Sequence, residues 1–253
     1  MSLEAPPADR KAALVTGAGR RVGAAIARAL GEAGWDVALH FHGSRAGAEE
    51  GAKDIEARGG RAALVPGDLR SPEACAAVVD QALAALGHLD LLVCSAASFG
   101  PTPFDDVDAA GLDAAMALNV RAPLLLSHRA RHALRARRGS VVIITCTSAT
   151  FPYPGFLPYV VSKGAAHHLM RTLALEMAPE VRVNAVAPGT VLLPEHYDEH
   201  QRGALADATL VGHLGTPQDV AGAVLYLAAA SFVTGHEILV DGGVALSGRR
   251  SGE

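Results

Sequence analysis

The sequence predicts a doubly wound parallel α/β sheet of seven strands, in a single domain spanning residues 1–253. Short apolar runs rich in β-branched residues recur along the chain, and longer segments with apolar residues at helical spacing separate them. This alternation is typical of right-handed strand–helix–strand crossovers, which cover both faces of a parallel sheet with helices. The chain length suits one domain of this class. The predicted strands are 12–16, 37–41, 62–65, 91–95, 141–145, 181–186 and 237–240.

The composition narrows the class of protein. With 50% hydrophobic and 19% charged residues, the bulk of the chain is too apolar for disorder. Uninterrupted apolar runs such as 223–230 are much shorter than the roughly 18 residues of a membrane span. The N-terminus has no stretch resembling a secretion signal. We therefore expect a cytoplasmic protein that does not enter a membrane.

The cysteine count and the net charge bear on disulfides, metals and nucleic acid. Cys75, Cys94 and Cys146 are odd in number and scattered, so we expect neither a disulfide framework nor a metal site. The net charge of −4 gives no general reason to expect nucleic acid. A local basic cluster at 128–138 is either an anion-binding surface or the solvated end of a helix, and the absence of interleaved aromatic residues favours the second interpretation.

The C-terminal third contains one well-marked helix and one long loop. Thr216 is a plausible N-cap and Pro217 suits the first turn of a helix that runs through Ala229. The irregular stretch at about 190–215 precedes it, and we expect this stretch to form a substrate lid with a short helix of its own.

A glycine-rich turn follows the first strand and precedes the first helix. Glycines in such a turn let the backbone approach a pyrophosphate, and the free N–H groups of the helix N-terminus bind it. The strand–turn–helix context favours a dinucleotide site of the Rossmann type over a purely structural turn. The contacts predicted here are Gly17, Gly19, Arg20, Arg21, Val22 and Gly23.

The end of the second strand indicates which dinucleotide binds. NAD binding usually needs a carboxylate there, whereas this strand ends in His40, Phe41 and His42 without an acid. Basic and hydroxyl groups bind the 2′-phosphate of NADP instead, so NADPH is the predicted cofactor. The candidate partners are Arg20, Arg21, His40, His42, Ser44 and Arg45, and the alternative is that the arginines are merely solvated.

A second acidic position follows the third strand. Asp68 is predicted either to bind the adenine amino group or to cap the helix that begins near Pro72. Leu69 beside it and Ala96 after the fourth strand are also predicted to contact the cofactor.

Tyr159 and Lys163 follow the fifth strand and lie on the same side of a helix, four residues apart. An ammonium group beside a phenol favours the phenolate and lowers the tyrosine pKa. Tyr159 is then able to exchange a proton during hydride transfer.

The chain resembles the short-chain dehydrogenase/reductase family along essentially its whole length. The matching elements are the glycine turn, Asp68, Asn119, Tyr159, Lys163, Pro188-Gly189-Thr190 and Asp241-Gly242-Gly243. Within that family it is most similar to pteridine reductases. That similarity rests on Arg20-Arg21, His40-Phe41-His42-Gly43-Ser44, Ser98-Phe99-Gly100-Pro101-Thr102-Pro103 and Leu193-Pro194-Glu195.

The resemblance implies a role for each residue. Tyr159 would donate the proton, Lys163 would bind the nicotinamide ribose, and Asn119 would hold a water in a proton relay or, alternatively, satisfy a helix kink. Pro188, Gly189 and Thr190 would lie along the nicotinamide. Phe99 and Leu193 would contact substrate, although Phe99 is equally explained as a packed loop residue. The resemblance also implies a homotetramer.

Three positions depart from the family pattern. The catalytic serine, often an aspartate in pteridine reductases, lies thirteen residues before the tyrosine, and here that position is Cys146. A thiol is a weaker donor than a hydroxyl. Proximity to Lys163 would make this thiol oxidisable, and the alternative is a small inert thiol. The usual Asn-Asn-Ala-Gly reads Cys94-Ser95-Ala96-Ala97, and Gly43 stands where an arginine is common.

The sequence therefore predicts an NADPH-dependent oxidoreductase that reduces a C=N or C=O bond of a small substrate. Pteridines are the leading substrate class, and a 3-oxoacyl or other ketone is the alternative. A weakly catalytic NADP-binding sensor is the alternative from another class, suggested by Cys146.

Overall fold

The computed structural model describes residues 10–193 and 198–247. Pro194 and Glu195, which contributed to the resemblance, lie outside the described residues, as does the N-terminal segment in which no secretion signal was found.

The strands form one parallel sheet. Its order is β3-β2-β1-β4-β5-β6-β7, so the chain starts near the centre and winds first to one edge and then to the other. The predicted doubly wound domain is confirmed, and each predicted strand agrees with the observed one to within two residues at either end. The strands are β1 (Ala12–Val15), β2 (Asp36–Phe41), β3 (Ala62–Pro66), β4 (Leu91–Cys94), β5 (Ser140–Ile144), β6 (Arg182–Pro188) and β7 (Glu237–Val240).

Helices cover both faces of this sheet. They are α1 (Arg21–Glu32), α2 (Arg45–Ala57), α3 (Pro72–Leu86), α4 (Ala109–Met116), α5 (Ala122–Ala136), α6 (Leu157–Met177), α7 (Glu199–Asp207), α8 (Pro217–Ala229) and α9 (Val244–Ser247). Successive strand residues point to opposite faces, so Leu14 belongs to the core beneath α3, α5 and α6, whereas Ala13 and Val15 belong to the core beneath α1, α2 and α8.

Local signals in the sequence set several helix ends. Thr216 is the N-cap of α8, as the sequence predicts, and the structure adds a reciprocal capping box with Asp219. The short helix expected in the long loop is α7, which Asp198 and Gln201 cap in the same way. These caps satisfy backbone N–H groups that otherwise lack partners.

The basic cluster at 128–138 is the exposed end of α5. Arg129 pairs with Asp80 at 2.7 Å, and Arg137 pairs with Asp90 at 3.0 Å. Local ion pairs of this kind support the interpretation as a solvated helix end.

One helical stretch has the length and composition of a membrane span. Residues Ala109–Ala136 include an 18-residue window with a mean hydropathy of 1.2, of which 33% is buried inside the protein. Leu126, Ala130 and Leu134 of this stretch face the core beneath the sheet. We therefore regard it as a core helix, for which apolarity is the normal property.

Candidate active site

The glycine turn between β1 and α1 needs glycine for packing as well as for access. Gly17 has φ +68°, in the left-handed region that other residues avoid. A Cβ on Gly19 would overlap the Ser44 carbonyl oxygen, and one on Gly23 would overlap the Gly17 carbonyl oxygen. No side chain caps α1, so its first N–H groups remain available. These features fit the pyrophosphate of a dinucleotide.

Thr16 joins this turn to the end of β4. Its hydroxyl accepts hydrogen bonds from the backbone N–H groups of Ser95 at 2.9 Å and Ala96 at 3.1 Å. The same hydroxyl lies 3.3 Å from the Val93 carbonyl, to which it donates. Ala96 therefore lies against the glycine turn, and its contact with the cofactor stays a prediction.

His40 is not a phosphate ligand in this arrangement. Its Nδ1 accepts a hydrogen bond from Gly17 N–H at 3.1 Å, so the ring proton lies on Nε2 and is donated to the Gly67 carbonyl at 3.1 Å. Burial lowers the pKa of His40 to about 4. A neutral imidazole with both nitrogens occupied holds the glycine turn in place, and the predicted phosphate contact is wrong for this residue.

The other candidates for the adenosine end lie on the surface around the end of β2. Arg20, Arg21, His42 and Arg45 are exposed, and Ser44 is half-buried. Arg45 pairs with Glu49 at 2.8 Å. Val22 belongs to α1 and is half-buried against the core.

Asp68 does not cap the following helix. Ser71 has that role, since its hydroxyl accepts a hydrogen bond from Ala74 N–H at 3.3 Å. Asp68 instead pairs with the guanidinium of Arg70 at 2.7 Å. The hydrogen bonds that Arg70 donates to the Asp68 carboxylate lower the pKa of Asp68 to about 2. Leu69 is 2% exposed and packs in the hydrophobic core.

Tyr159 and Lys163 lie one turn apart on α6. The Lys163 ammonium is buried, donates a hydrogen bond to the Ile144 carbonyl at 2.8 Å, and lies 5.6 Å from the centre of the Tyr159 ring. Burial lowers the pKa of Lys163 to about 8. Burial raises the pKa of Tyr159, and its contacts with Cys146 raise it further. Desolvation and Cys146 therefore shift the phenol pKa in the direction opposite to the lowering that the sequence predicts.

Asn119 lies in a π-helical turn, Ala117–Arg121, that joins α4 to α5. Its Nδ2 donates to the Ser162 hydroxyl at 2.8 Å, and that hydroxyl donates to the Tyr159 carbonyl at 2.7 Å. Its Oδ1 is buried and accepts no hydrogen bond from the part of the chain described here. The amide therefore fastens the kink to α6 and also keeps a free acceptor; π-turns are frequent at functional sites.

Cys146 lies just before a short 3₁₀ turn, Thr147–Ala149, and faces two tyrosines. Its sulfur accepts a hydrogen bond from Ser148 N–H at 3.5 Å. Burial raises the pKa of both Tyr159 and Tyr153, and the nearby Cys146 raises it further. Cys146 is half-buried, so it is at the site rather than in the core.

A cluster of aromatic rings lies beside Tyr159. Phe99 is stacked on Phe156 with ring centres 4.7 Å apart, and it meets the edge of Tyr159 at 4.9 Å. Tyr153 meets Phe156 edge-on at 5.6 Å. Phe99 is 58% exposed, so its ring has free surface. A cavity of about 190 Å³ opens next to Tyr159, between Ser98 and Pro158.

Comparison with known proteins identifies the family. The family model described as enoyl-(acyl carrier protein) reductase matches residues 17–245, which include the whole site. The chain belongs to the short-chain dehydrogenase/reductase family. The expectation of an enzyme is therefore confirmed.

Individual relatives of this short-chain dehydrogenase/reductase match over nearly their whole length. An uncharacterized oxidoreductase of Mycobacterium tuberculosis (strain CDC 1551 / Oshkosh) is 37% identical, over 93% of this chain and 92% of its own. 3beta-Hydroxysteroid dehydrogenase 1 of Eggerthella lenta is 34% identical, over 93% and 94%. The crystal structure of a blue fluorescent protein from a metagenomic library, in complex with NADPH, matches with a TM-score of 0.86 and 32% identity, over 93% and 98%. These relatives do not single out pteridine reductases.

The reductase fold brings most of the predicted residues to one edge of the sheet. Pro188 ends β6, and Gly189 N–H donates to the Val240 carbonyl at 2.9 Å. Thr190 and Leu193 follow as half-buried residues of the loop.

The sequence did not indicate Tyr153 and Phe156 as residues of the site. A tyrosine between two prolines carries no recognisable spacing signal, so only the folded loop shows that its ring lies against Phe156.

Proposed function

We propose that this protein is an NADP(H)-dependent oxidoreductase that interconverts a ketone and a secondary alcohol on a small ring-containing substrate. The observation that carries the proposal is the position of the protonated Tyr159 hydroxyl, beside Lys163 and Cys146 and next to an exposed aromatic ring. A proton donor at the edge of a pocket is what carbonyl reduction needs.

Separate residues would bind the cofactor, donate the proton and replace it. The nicotinamide supplies the hydride when it is bound, and the glycine turn, Lys163 and the 188–190 segment would hold it. Because burial raises its pKa, Tyr159 keeps its proton at neutral pH and donates it to the substrate oxygen as negative charge develops there. The ammonium of Lys163 stabilises the resulting phenolate. The free Oδ1 of Asn119 is an acceptor for a water that returns protons to this pair.

The preference for NADP over NAD rests on charge at the end of β2. No carboxylate occupies the strand end, whereas Arg20, His42 and Arg45 are exposed around it. Among the described residues, neither Arg20 nor Arg21 forms an ion pair, so these guanidinium groups are available to a phosphate. The solved relative that binds NADPH is in line with this choice.

The aromatic cluster favours a flat or ring-containing substrate. The exposed part of Phe99 offers an apolar face, and aromatic rings stack on such faces at centre distances of about 4.5–7 Å. The relative named for a hydroxysteroid supports a ring ketone or alcohol. A pteridine remains the second candidate because Phe99 suits it too, but Cys146 provides no carboxylate to share a proton with Tyr159.

The test is NADPH oxidation with a fixed panel: 1-tetralone, a 3-oxosteroid, an acetoacetyl ester and 7,8-dihydrobiopterin, with NADH in parallel. We expect the ring ketones to react fastest, NADPH to be preferred, and Tyr159→Phe to lower kcat by at least about 10³-fold while NADPH still binds. Faster turnover of the pterin would favour the second candidate. Cofactor binding without turnover of any compound would favour the sensor.

The proposal includes a homotetrameric assembly and a cytoplasmic location. We propose a homotetramer, because apolar side chains are exposed on α5 and α6 and also near β7 and α8. All three cysteines are free, which suits the reducing cytoplasm.

A further inference from the structure

A buried carboxylate, Glu237 at the start of β7, connects the end of β5 to α6. Its side chain is 7% exposed, and one of its oxygens accepts a hydrogen bond from the Thr145 hydroxyl at 2.5 Å. The other oxygen lies 3.0 Å from Nδ1 of His167 on α6. Burying a carboxylate is costly unless polar groups surround it, so these two contacts are what keep Glu237 inside the protein.

Thr145 directly follows the residue that holds the catalytic lysine. The carbonyl of Ile144 accepts the hydrogen bond from the Lys163 ammonium at 2.8 Å. The backbone N–H and the hydroxyl of Thr145 both contact the Val186 carbonyl of β6, at 2.9 and 3.1 Å. A hydroxyl has only one proton, and a carboxylate is a stronger acceptor than a backbone carbonyl. Glu237 therefore fixes the direction of the Thr145 side chain.

The same carboxylate contacts the helix that carries the catalytic pair. Tyr159, Lys163 and His167 follow one another at intervals of four residues along α6, so their side chains lie on one side of the helix. The Lys163 ammonium bonds to the end of β5, and one turn further on His167 contacts Glu237. This side of α6 is therefore attached to the sheet at two successive turns.

We propose that Glu237 is a positioning residue for carbonyl reduction. It orients Thr145, and Thr145 in turn fixes the carbonyl against which the Lys163 ammonium is held. A displacement of about 1 Å at a catalytic group can lower the rate by about 100-fold, so support of this kind affects turnover. The inference rests on the proposed function, because Lys163 acts within the same carbonyl reduction.

A carboxylate that only linked β5 to β7 would behave differently. Its loss would lower the thermal midpoint, and the molecules that remained folded would keep their full kcat. The two roles are therefore separated by kcat measured well below the thermal midpoint, and by whether turnover returns when only the hydrogen bond is restored.

The experiment measures kcat for variants at both ends of this hydrogen bond, with the ketone of the panel that wild type reduces fastest. Thr145→Val removes the hydroxyl and keeps the shape of the side chain, so kcat should fall by about 10- to 100-fold. Thr145→Ser restores the hydroxyl and should lose less than about threefold.

The other end of the bond gives a parallel test. Glu237→Leu should lose at least as much kcat as Thr145→Val, whereas Glu237→Gln keeps an oxygen acceptor and should lose less than about threefold. The double variant Thr145→Val/Glu237→Leu should lose no more than Glu237→Leu alone, because both changes break the same bond. Circular dichroism checks that each variant is folded, and the two Thr145 variants decide by themselves if Glu237→Leu is not.

Thr234→Val is the matched control. The Thr234 hydroxyl accepts a hydrogen bond from Val183 N–H at 3.1 Å, so the variant removes the same group near the start of β6 and away from Lys163. It should leave kcat unchanged. Full kcat in Thr145→Val, a loss that Thr145→Ser does not recover, or an equal loss in Thr234→Val would overturn the role of Glu237 and leave the proposed function intact. A wild-type protein that reduces no carbonyl of the panel would overturn both proposals.

Discussion

At the scale of single residues, burial is the main influence on the catalytic groups. Lys163 and Tyr159 lie together in an environment that disfavours the charged form of each, so the pKa of the lysine falls and that of the tyrosine rises. The free enzyme therefore presents a neutral phenol beside an ammonium that loses its proton at moderately alkaline pH.

This gives a pH prediction for carbonyl reduction. Because Lys163 has a pKa of about 8, kcat/KM should fall above about pH 8 as the ammonium is lost, by about tenfold per pH unit. Tyr159 does not cause this fall, since its pKa is raised. The Lys163→Arg variant keeps its positive charge throughout this range. Its kcat/KM should be lower than that of wild type at every pH, but it should not decrease near pH 8. An unchanged decrease in Lys163→Arg would contradict the assignment.

The same shift has a consequence for stability. The unfolded chain holds the Lys163 proton up to its ordinary pKa of 10.5, whereas the folded chain prefers the neutral amine above about pH 8. Charged Lys163 therefore destabilises the fold at lower pH, and this penalty is relieved as the pH rises from 8 to 10.5.

At the scale of elements, the site depends on how closely β1, α1 and α2 approach one another. Gly19 contacts the start of α2 through the Ser44 carbonyl, and Gly47 of α2 contacts the Gly19 carbonyl in turn. The two helices therefore share one backbone junction beneath the predicted phosphate site, with no space for a side chain.

Gly19→Ala should break this junction. The added Cβ meets backbone and not a flexible side chain, so we expect a loss of stability of about 1–3 kcal/mol and at least tenfold weaker NADPH binding. Fluorescence titration and thermal unfolding measure the two effects. Gly222→Ala on α8 has open space around its Cβ, so it should gain up to about 1 kcal/mol and bind NADPH normally. Normal NADPH affinity in Gly19→Ala would show that the junction does not support the site.

At the scale of the whole molecule, the two exposed apolar surfaces predict the assembly. One consists of Leu124, Val161 and Leu175 on α5 and α6, and the other of Tyr226, Phe232, Leu239 and Leu246 near the β7 edge. Two different surfaces that each pair with themselves generate a closed tetramer with three two-fold axes.

Light scattering should therefore give four times the 26.0 kDa of one chain. Leu175→Glu places a charge in one surface only, so we expect it to yield particles of half that mass. Lys53→Glu on the outer face of α2 introduces the same residue elsewhere and should remain tetrameric. A wild-type mass of 26.0 kDa would exclude the proposed assembly.

Much of the fold follows from local pattern alone. Alternating apolar runs and helical periodicity predict all seven strands, because the strands between the two edges are buried on both faces and the edge strands are still apolar. The capping residues Thr216 and Pro217 predict the start of α8 correctly, since a cap acts within one turn. The glycine turn and the spacing of Tyr159 and Lys163 indicate the site for the same reason: each depends on residues close in sequence.

The sequence by itself thus determined the sheet, the glycine turn and the tyrosine–lysine pair. Tertiary structure decided what depends on environment and long-range approach. It buried His40 between two backbone groups and so removed it from the phosphate site, and it reversed the expected shift in the Tyr159 pKa. It also brought Tyr153 into the aromatic cluster, against the ring of Phe156. Desolvation and the direction of a hydroxyl arise only when distant segments pack together, and so neither was visible in the spacing of residues along the chain.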